Sequence, residues 1–78
     1  MNAYSKWNYR VLKRVVAGEI SYGIYEVYYD ELEIPSACSS SPCEPFGETA
    51  EELELELDMM RRATEQPPLN YSDFSHDE

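Results

Sequence analysis

The two cysteines are the side chains best suited to chemistry, and they share one loop-like segment. Cys38 and Cys43 form a C-x4-C pair within PSACSSSPCEPFG, residues 35–47. A zinc site needs more ligands, and the only histidine, His76, lies far along the chain. A disulfide is sterically possible, but a reducing compartment would disfavour it. We therefore expect free thiols, with no metal and no cofactor.

Carboxylates are the most abundant reactive groups, yet their number does not make a catalytic site. The chain has 78 residues, with 16 Asp and Glu against 6 Lys and Arg. General acid–base catalysis needs a pocket that separates the pKa values of two such groups. One helix on a small sheet offers little concavity. The sequence has no nucleophile–base pair and no glycine-rich phosphate loop, so we predict that the protein is not an enzyme.

The formal net charge of −10 constrains the class of partner. Phosphates would be repelled, so direct nucleic-acid binding is not expected, although the tyrosines of YGIYEVYY could stack on bases. An acidic chain suits a protein partner with a basic or apolar surface. Lys6, Arg10, Lys13 and Arg14 precede every acidic residue, so we also expect them to attract the acidic remainder of the chain.

Neither secretion nor membrane insertion is predicted. The start MNAYSKWNYR has no apolar signal region, and no apolar run is long enough to span a bilayer. We therefore expect a cytoplasmic protein.

The first thirty residues predict a β-hairpin. Residues 5–16 alternate in polarity with period two, and Ala17–Gly18 is a turn signal. Residues 20–30, rich in tyrosine and β-branched side chains, form the second strand. A two-residue loop would pair the strands as follows: Trp7 with Tyr28, Lys6 with Tyr29, Arg10 with Tyr25, and Val11 with Ile24.

The remainder of the chain predicts one helix after a loop. A short third strand is expected at Leu32–Ile34, followed by the loop 35–47. Thr49 and Glu52 form a capping box at the start of the helix, which runs to about Glu65 before two prolines. Residues 1–66 then form one domain with a flexible loop, and residues 67–78 form an acidic tail that is either a last short strand or disordered.

Helical periodicity separates two apolar rows. Leu53, Leu57, Met60 and Thr64 share one stripe, which we expect to lie on the sheet. Leu55 and Met59 lie roughly opposite, and Glu51, Glu54 and Asp58 cluster between the two rows. This arrangement leaves a second apolar row exposed in an acidic surrounding, which is either a contact site or ordinary surface.

These elements predict an α+β fold, with an antiparallel sheet of three or four strands and one amphipathic helix packed on one face. The other face would be bare and would expose Tyr25, Val27 and Tyr29. Two apolar surfaces on so small a chain favour association. The expected function is a non-catalytic regulator or inhibitor that binds another protein, and a homodimer is also possible. The predicted contact residues are Leu55, Met59, Tyr25, Tyr29, Glu51, Glu54 and Asp58.

Two other functions remain open from the sequence. Residues 17–78 carry 2 Arg and 16 acidic residues, a balance of −14. The carboxylates of residues 44–65 would then imitate phosphates and block a DNA- or RNA-binding protein. The third hypothesis is a redox or metal role for Cys38 and Cys43.

Three segments carry a resemblance to known families. WNYRV, GIYEVYYD and FGETAEEL resemble a group of short bacterial proteins of unknown function, a resemblance that implies no activity but suggests a small bacterial or phage protein. The order hairpin, third strand and GxTxEE helix is similar to that of HicB-type antitoxins, on Gly47, Thr49, Glu51 and Glu52. That resemblance implies a fold with a partial RNase-H-like sheet, in a protein that neutralises a small toxin by binding it. The chain departs from those antitoxins in its cysteine- and proline-rich loop and in having no DNA-binding extension.

Overall fold

The computed structural model describes residues 6–74 and shows an α+β fold with a four-stranded mixed sheet. The strand order in the sheet is β3-β2-β1-β4. The elements in chain order are β1 (Lys6–Val16), β2 (Glu19–Tyr29), β3 (Pro35–Cys38), α1 (Ala50–Ala63), β4 (Leu69–Asn70) and a 3₁₀ turn (Tyr71–Asp73). Ser5, which begins the predicted first strand, and His76 lie outside the described residues.

The β1–β2 hairpin has the predicted register. Trp7 lies opposite Tyr28, Val11 opposite Ile24 and Arg10 opposite Tyr25. Ala17 and Gly18 form the two-residue turn with φ values of 53° and 81°. Two positive φ angles match the right-handed twist of the flanking strands, so the turn and the register support each other.

The third strand exists, but its predicted position at Leu32–Ile34 was wrong. That segment is a turn, in which one carboxylate oxygen of Asp30 accepts hydrogen bonds from the backbone N–H groups of Leu32 at 2.8 Å and Ile34 at 3.0 Å. The Ile34 hydrogen bond is the main reason that the pKa of Asp30 is lowered. The side chain thus competes with strand pairing, and β3 begins only at Pro35.

The segment after β3 stays attached to the edge of β2. The N–H of Ser39 donates to the carbonyl of Glu26 at 2.9 Å, and the N–H of Cys43 donates to the carbonyl of Ile24 at 2.8 Å. Residues that composition assigned to a loop therefore contribute both a strand and an edge cover to the sheet.

The sheet is not wholly antiparallel. β4 pairs in parallel with β1, with Leu69 opposite Leu12 and Asn70 opposite Lys13. The connection from β1 to β4 includes α1, and a crossover of that kind is what a parallel pair requires. Of the two readings of the tail, the described part, up to Phe74, takes the form of a short strand.

Two buried clusters lie on the two faces of the hairpin. On the helix face, Met60 and Ala63 of α1 pack with Tyr9, and Val11 and Ile24 border them. The second face is covered by the C-terminal segment, and we call it the tail face. Its buried side chains are Leu12, Tyr25, Val27, Cys38 and Phe74.

The predicted bare sheet face is therefore wrong. Tyr25 is 2 % exposed and Val27 is fully buried. Tyr29 is half-buried, and its hydroxyl donates to the side-chain oxygen of Asn8 at 2.8 Å. The cause is the C-terminal segment, since Leu69, Tyr71 and Phe74 pack on this cluster.

Cations of β1 help to hold the C-terminal segment in place. The guanidinium of Arg14 lies 4.0 Å from the centre of the Tyr71 ring. Arg10, which is buried, donates to the carbonyl of Pro67 at 3.0 Å. Lys6 forms an exposed ion pair with Glu33, which contributes little.

Phe74→Ala should destabilise the fold by about 3 kcal/mol, because it removes a buried ring from the tail face. Phe46→Ala is the matched control, since Phe46 is 72 % exposed, and it should change stability by less than about 0.5 kcal/mol. Urea unfolding measures both changes. Phe74→Leu, which retains most of the apolar volume, should cost only about 1 kcal/mol and remain folded. Equal effects of the two Phe→Ala substitutions would show that the tail face is not closed by Phe74.

Candidate functional site

The outer surface of α1 is the candidate site. The contacts at the N-terminal cap fix where this helix begins. The hydroxyl of Thr49 accepts from the N–H of Glu52 at 3.1 Å, as the capping box predicts. The Glu52 carboxylate accepts from the N–H of Glu48 at 3.1 Å, one residue before the expected partner. Gly47 approaches the first turn so closely that a Cβ there would clash with the backbone of Leu53.

The residues of α1 that face the sheet differ from the predicted apolar stripe. Met60 and Ala63 are buried, whereas Leu53, Leu57 and Thr64 are exposed. The helix is thus turned by roughly 60° about its axis from the orientation that hydrophobic periodicity predicts. That prediction of the buried row was wrong, except for Met60.

A hydrogen bond between Tyr9 and Glu56 accounts for this rotation. The phenol of Tyr9 lies under the helix and donates to the Glu56 carboxylate. Glu56 therefore points towards the sheet and is half-buried, which moves the leucines on either side of it outwards. Periodicity cannot reveal such a contact, because a glutamate inside an acidic helix reads as surface.

Two phenols on the helix face are held in their protonated form. Burial, and then the hydrogen bond to Glu56, raise the pKa of Tyr9 well above its usual value of 10.0. The hydrogen bond to Glu26, and then burial, raise the pKa of Tyr28 to about 12. These carboxylates accept hydrogen bonds that fix the structure, and both tyrosines remain donors at neutral pH.

The rotation leaves four large apolar side chains of α1 exposed in two rows. Leu53 and Leu57 lie on one flank of the buried stripe, and Leu55 and Met59 lie on the other. Their exposures are 36 % for Leu53, 67 % for Leu55, 48 % for Leu57 and 44 % for Met59. The exposure expected for Leu55 and Met59 is confirmed, and Leu53 and Leu57 add a second exposed apolar row on the opposite flank, beyond the expectation.

The three helix carboxylates expected at the site differ in how free their charge is. Asp58 lies 3.1 Å from Arg62 and 3.8 Å from Arg61, so its charge is locally offset. Glu51 and Glu54 are exposed and form no ion pair with any residue in the range 6–74. The negative charge of the site therefore lies towards the N-terminal half of the helix.

The structure does not bring all seven predicted contact residues together. Leu55, Met59, Glu51, Glu54 and Asp58 share α1, which packs on the helix face. Tyr25 and Tyr29 belong to the cluster on the tail face, on the opposite side of the sheet. In place of the two tyrosines, the helix face presents Trp7, which is 47 % exposed and packs edge-on against Tyr9 with ring centres 5.2 Å apart.

The two cysteines are free thiols that belong to different clusters. Cys38 is buried on the tail face, and Cys43 borders the cluster on the helix face. Burial is the main cause that raises the pKa of each thiol. Within residues 6–74, no group of three or more His, Cys, Asp or Glu side chains is arranged to hold a metal ion.

Comparisons with known proteins identify no family for this chain. The chain matches no protein-family model, no curated protein and no solved structure. In the part of the chain that the structure describes, no helix has the length and apolar character needed to cross a membrane.

Tyr9→Phe should destabilise the fold by about 1 kcal/mol, because the half-buried Glu56 carboxylate loses its donor. Tyr22→Phe is the matched control, since Tyr22 is 61 % exposed, and it should change stability by less than about 0.5 kcal/mol. Thermal unfolding at neutral pH measures both. If the two variants unfold at the same temperature, the phenol–carboxylate contact does not hold the helix.

Proposed function

We propose that the protein is a non-catalytic regulator or inhibitor that binds another protein through the outer surface of α1. The observation that carries this proposal is the exposure of Leu55 and Met59, one turn apart on the 14-residue helix and next to its acidic outer surface. A single exposed leucine needs no explanation, but two neighbouring large apolar side chains form a patch that gains from being covered. Leu53 and Leu57 form a second exposed row on the opposite flank of the helix.

The charges of α1 specify the chemistry of the partner. Glu51 and Glu54 carry uncompensated charge beside the apolar rows, so the fitting surface combines apolar side chains with Lys or Arg. Such complementarity accelerates encounter and sets orientation more than it adds affinity. Asp58 contributes less, because Arg61 and Arg62 already accompany it.

The sheet tyrosines have no part in this surface. Tyr25 is buried against Tyr71 of the C-terminal segment, and Tyr29 is half-buried at the edge of the same cluster. The proposed contact set is therefore Leu55, Met59, Glu51 and Glu54. A small inhibitor of the antitoxin kind and a small regulatory subunit would both use a surface of this chemistry.

Leu55→Asp combined with Met59→Asp should abolish binding, because two apolar contacts become buried charges in the complex. We expect a loss of at least about 2 kcal/mol in binding free energy, with unfolding unchanged within about 0.5 kcal/mol because both side chains are exposed. The partner is first purified from the native cell by affinity capture, and calorimetry then measures binding to each variant.

Leu32→Asp is the control for that experiment. Leu32 is 78 % exposed but lies in the turn before β3, away from the helix surface, so its substitution should leave binding unchanged. Full affinity in the Leu55→Asp, Met59→Asp protein would refute the assignment of α1 as the contact surface.

A second candidate function is an acidic mimic of nucleic acid, which would block a DNA- or RNA-binding protein. Its support is the row of exposed, unpaired carboxylates at the start of α1, Glu51 and Glu54 among them. A phosphate-mimicking interface should weaken steeply between about 50 and 200 mM salt, whereas an apolar interface should change little. Calorimetry of the purified complex across that range separates the two functions.

A further inference from the structure

A second exposed apolar surface lies at the turn end of the hairpin. We call it the hairpin end, residues 13–24. Its large apolar side chains are mostly exposed: Val15 by 59 %, Val16 by 56 %, Ile20 by 58 % and Tyr22 by 61 %. All four side chains are more than half exposed, and Val15 and Val16 line an open groove with Asn70, Tyr71 and Ser72 of the C-terminal segment.

The outer edge of β2 is open along the same stretch. The carbonyls of Glu26 and Ile24 accept from Ser39 and Cys43, so the even-numbered residues of β2 direct their backbone groups away from β1. By the alternation of an antiparallel ladder, Tyr22 and Ile20 do the same. The hydrogen-bonded cover ends at Ile24, Pro42 lies beside Gly23, and no described strand pairs with Glu19–Gly23 on that side.

The other sheet edges carry features that discourage pairing with another strand, and this edge lacks them. β3 is four residues long and begins with Pro35. β4 pairs with β1 at Leu12 and Lys13 only, and the rest of β1 carries Lys6, Arg10 and Arg14. The uncovered part of β2 reads EISYG, with Glu19 as its one charge and no lysine or proline. An edge with a single charge and exposed apolar side chains is a template for strand addition.

We propose that the β2 edges of two copies of this chain pair antiparallel about a two-fold axis at Ser21. Ile20 then lies opposite Tyr22 of the second copy, and the two residues exchange backbone hydrogen bonds on each side of the axis. Ser21 lies opposite Ser21 of the second copy as a non-hydrogen-bonded pair. The apolar side chains of Ile20 and Tyr22 from both copies stack on one face, beside Val15.

Charge favours a second copy as the occupant of this edge. Residues 13–24 carry Lys13, Arg14 and Glu19, a balance of +1, in a chain whose net charge is −10. Two copies therefore approach with least repulsion at the hairpin end. They would repel each other at α1, whose acidic surface instead suits a basic partner. The pairing thus uses a surface separate from the proposed regulatory one.

Ile20→Lys combined with Tyr22→Lys tests the pairing, because each lysine would face another across the axis. Sedimentation equilibrium of the full chain should show twice the 9.1 kDa mass of the monomer at high concentration. We expect the double variant to raise the dissociation constant on the order of tenfold or more. Val16→Lys is the control, since Val16 is equally exposed but lies on β1, and it should dimerise normally.

A cross-linking experiment tests the register. A non-hydrogen-bonded antiparallel pair brings Cα atoms to about 4.5 Å, within disulfide range. In a Cys43→Ser background, Ser21→Cys should therefore form a covalent dimer on mild oxidation. Glu19→Cys on the same edge should not, because in this register Glu19 lies opposite Gly23 of the second copy.

Three results would overturn the inference. The first is a wild-type chain that remains at 9.1 kDa up to about 1 mM. The second is equal cross-linking of Ser21→Cys and Glu19→Cys. The third is loss of the dimer in the Leu55→Asp, Met59→Asp variant, which would place the contact between copies on α1 instead.

Discussion

The fold depends on one constraint: both faces of the β1–β2 hairpin carry apolar side chains, and a single 14-residue helix can cover only one of them. The second face is closed by six residues, Leu69–Phe74, which pack over Tyr25 and Val27. Cys38 of β3 joins the same cluster, and the carbonyl of Ser40 accepts from the Tyr71 hydroxyl at 2.9 Å. A short C-terminal segment therefore decides whether the tail face is a core or a surface.

The position of α1 on the helix face also depends on a small number of contacts. The helix rests on Tyr9 through Met60 and Ala63, and Glu56 accepts the Tyr9 hydroxyl. The polar contact between Tyr9 and Glu56 lies at the centre of the helix–sheet interface, so Leu55 and Leu57 on either side of Glu56 are exposed to solvent. The strongest apolar signal of the helix thus becomes surface, while an alanine and a methionine become core.

The hairpin and the helix leave two apolar surfaces with opposite electrostatic character. The outer surface of α1 is acidic, with Glu51 and Glu54 unpaired among the described residues, and we propose that it binds a partner that supplies positive charge. The hairpin end carries almost no net charge and has an open strand edge. The two proposed contacts therefore use separate surfaces that differ in charge and in backbone pairing.

Local signals in the sequence determined the hairpin, its register, the helix cap and the exposure of Leu55 and Met59, because turn geometry, period-two alternation and capping act between near neighbours. The position of β3, the parallel β4, the closed tail face and the rotation of α1 needed the tertiary structure. Each of these depends on a contact between residues far apart in the chain, such as Tyr9 with Glu56 or Tyr25 with Tyr71. The pattern of one segment does not show which distant side chain will contact it. In a chain this small, a single long-range contact decides which side chains are buried.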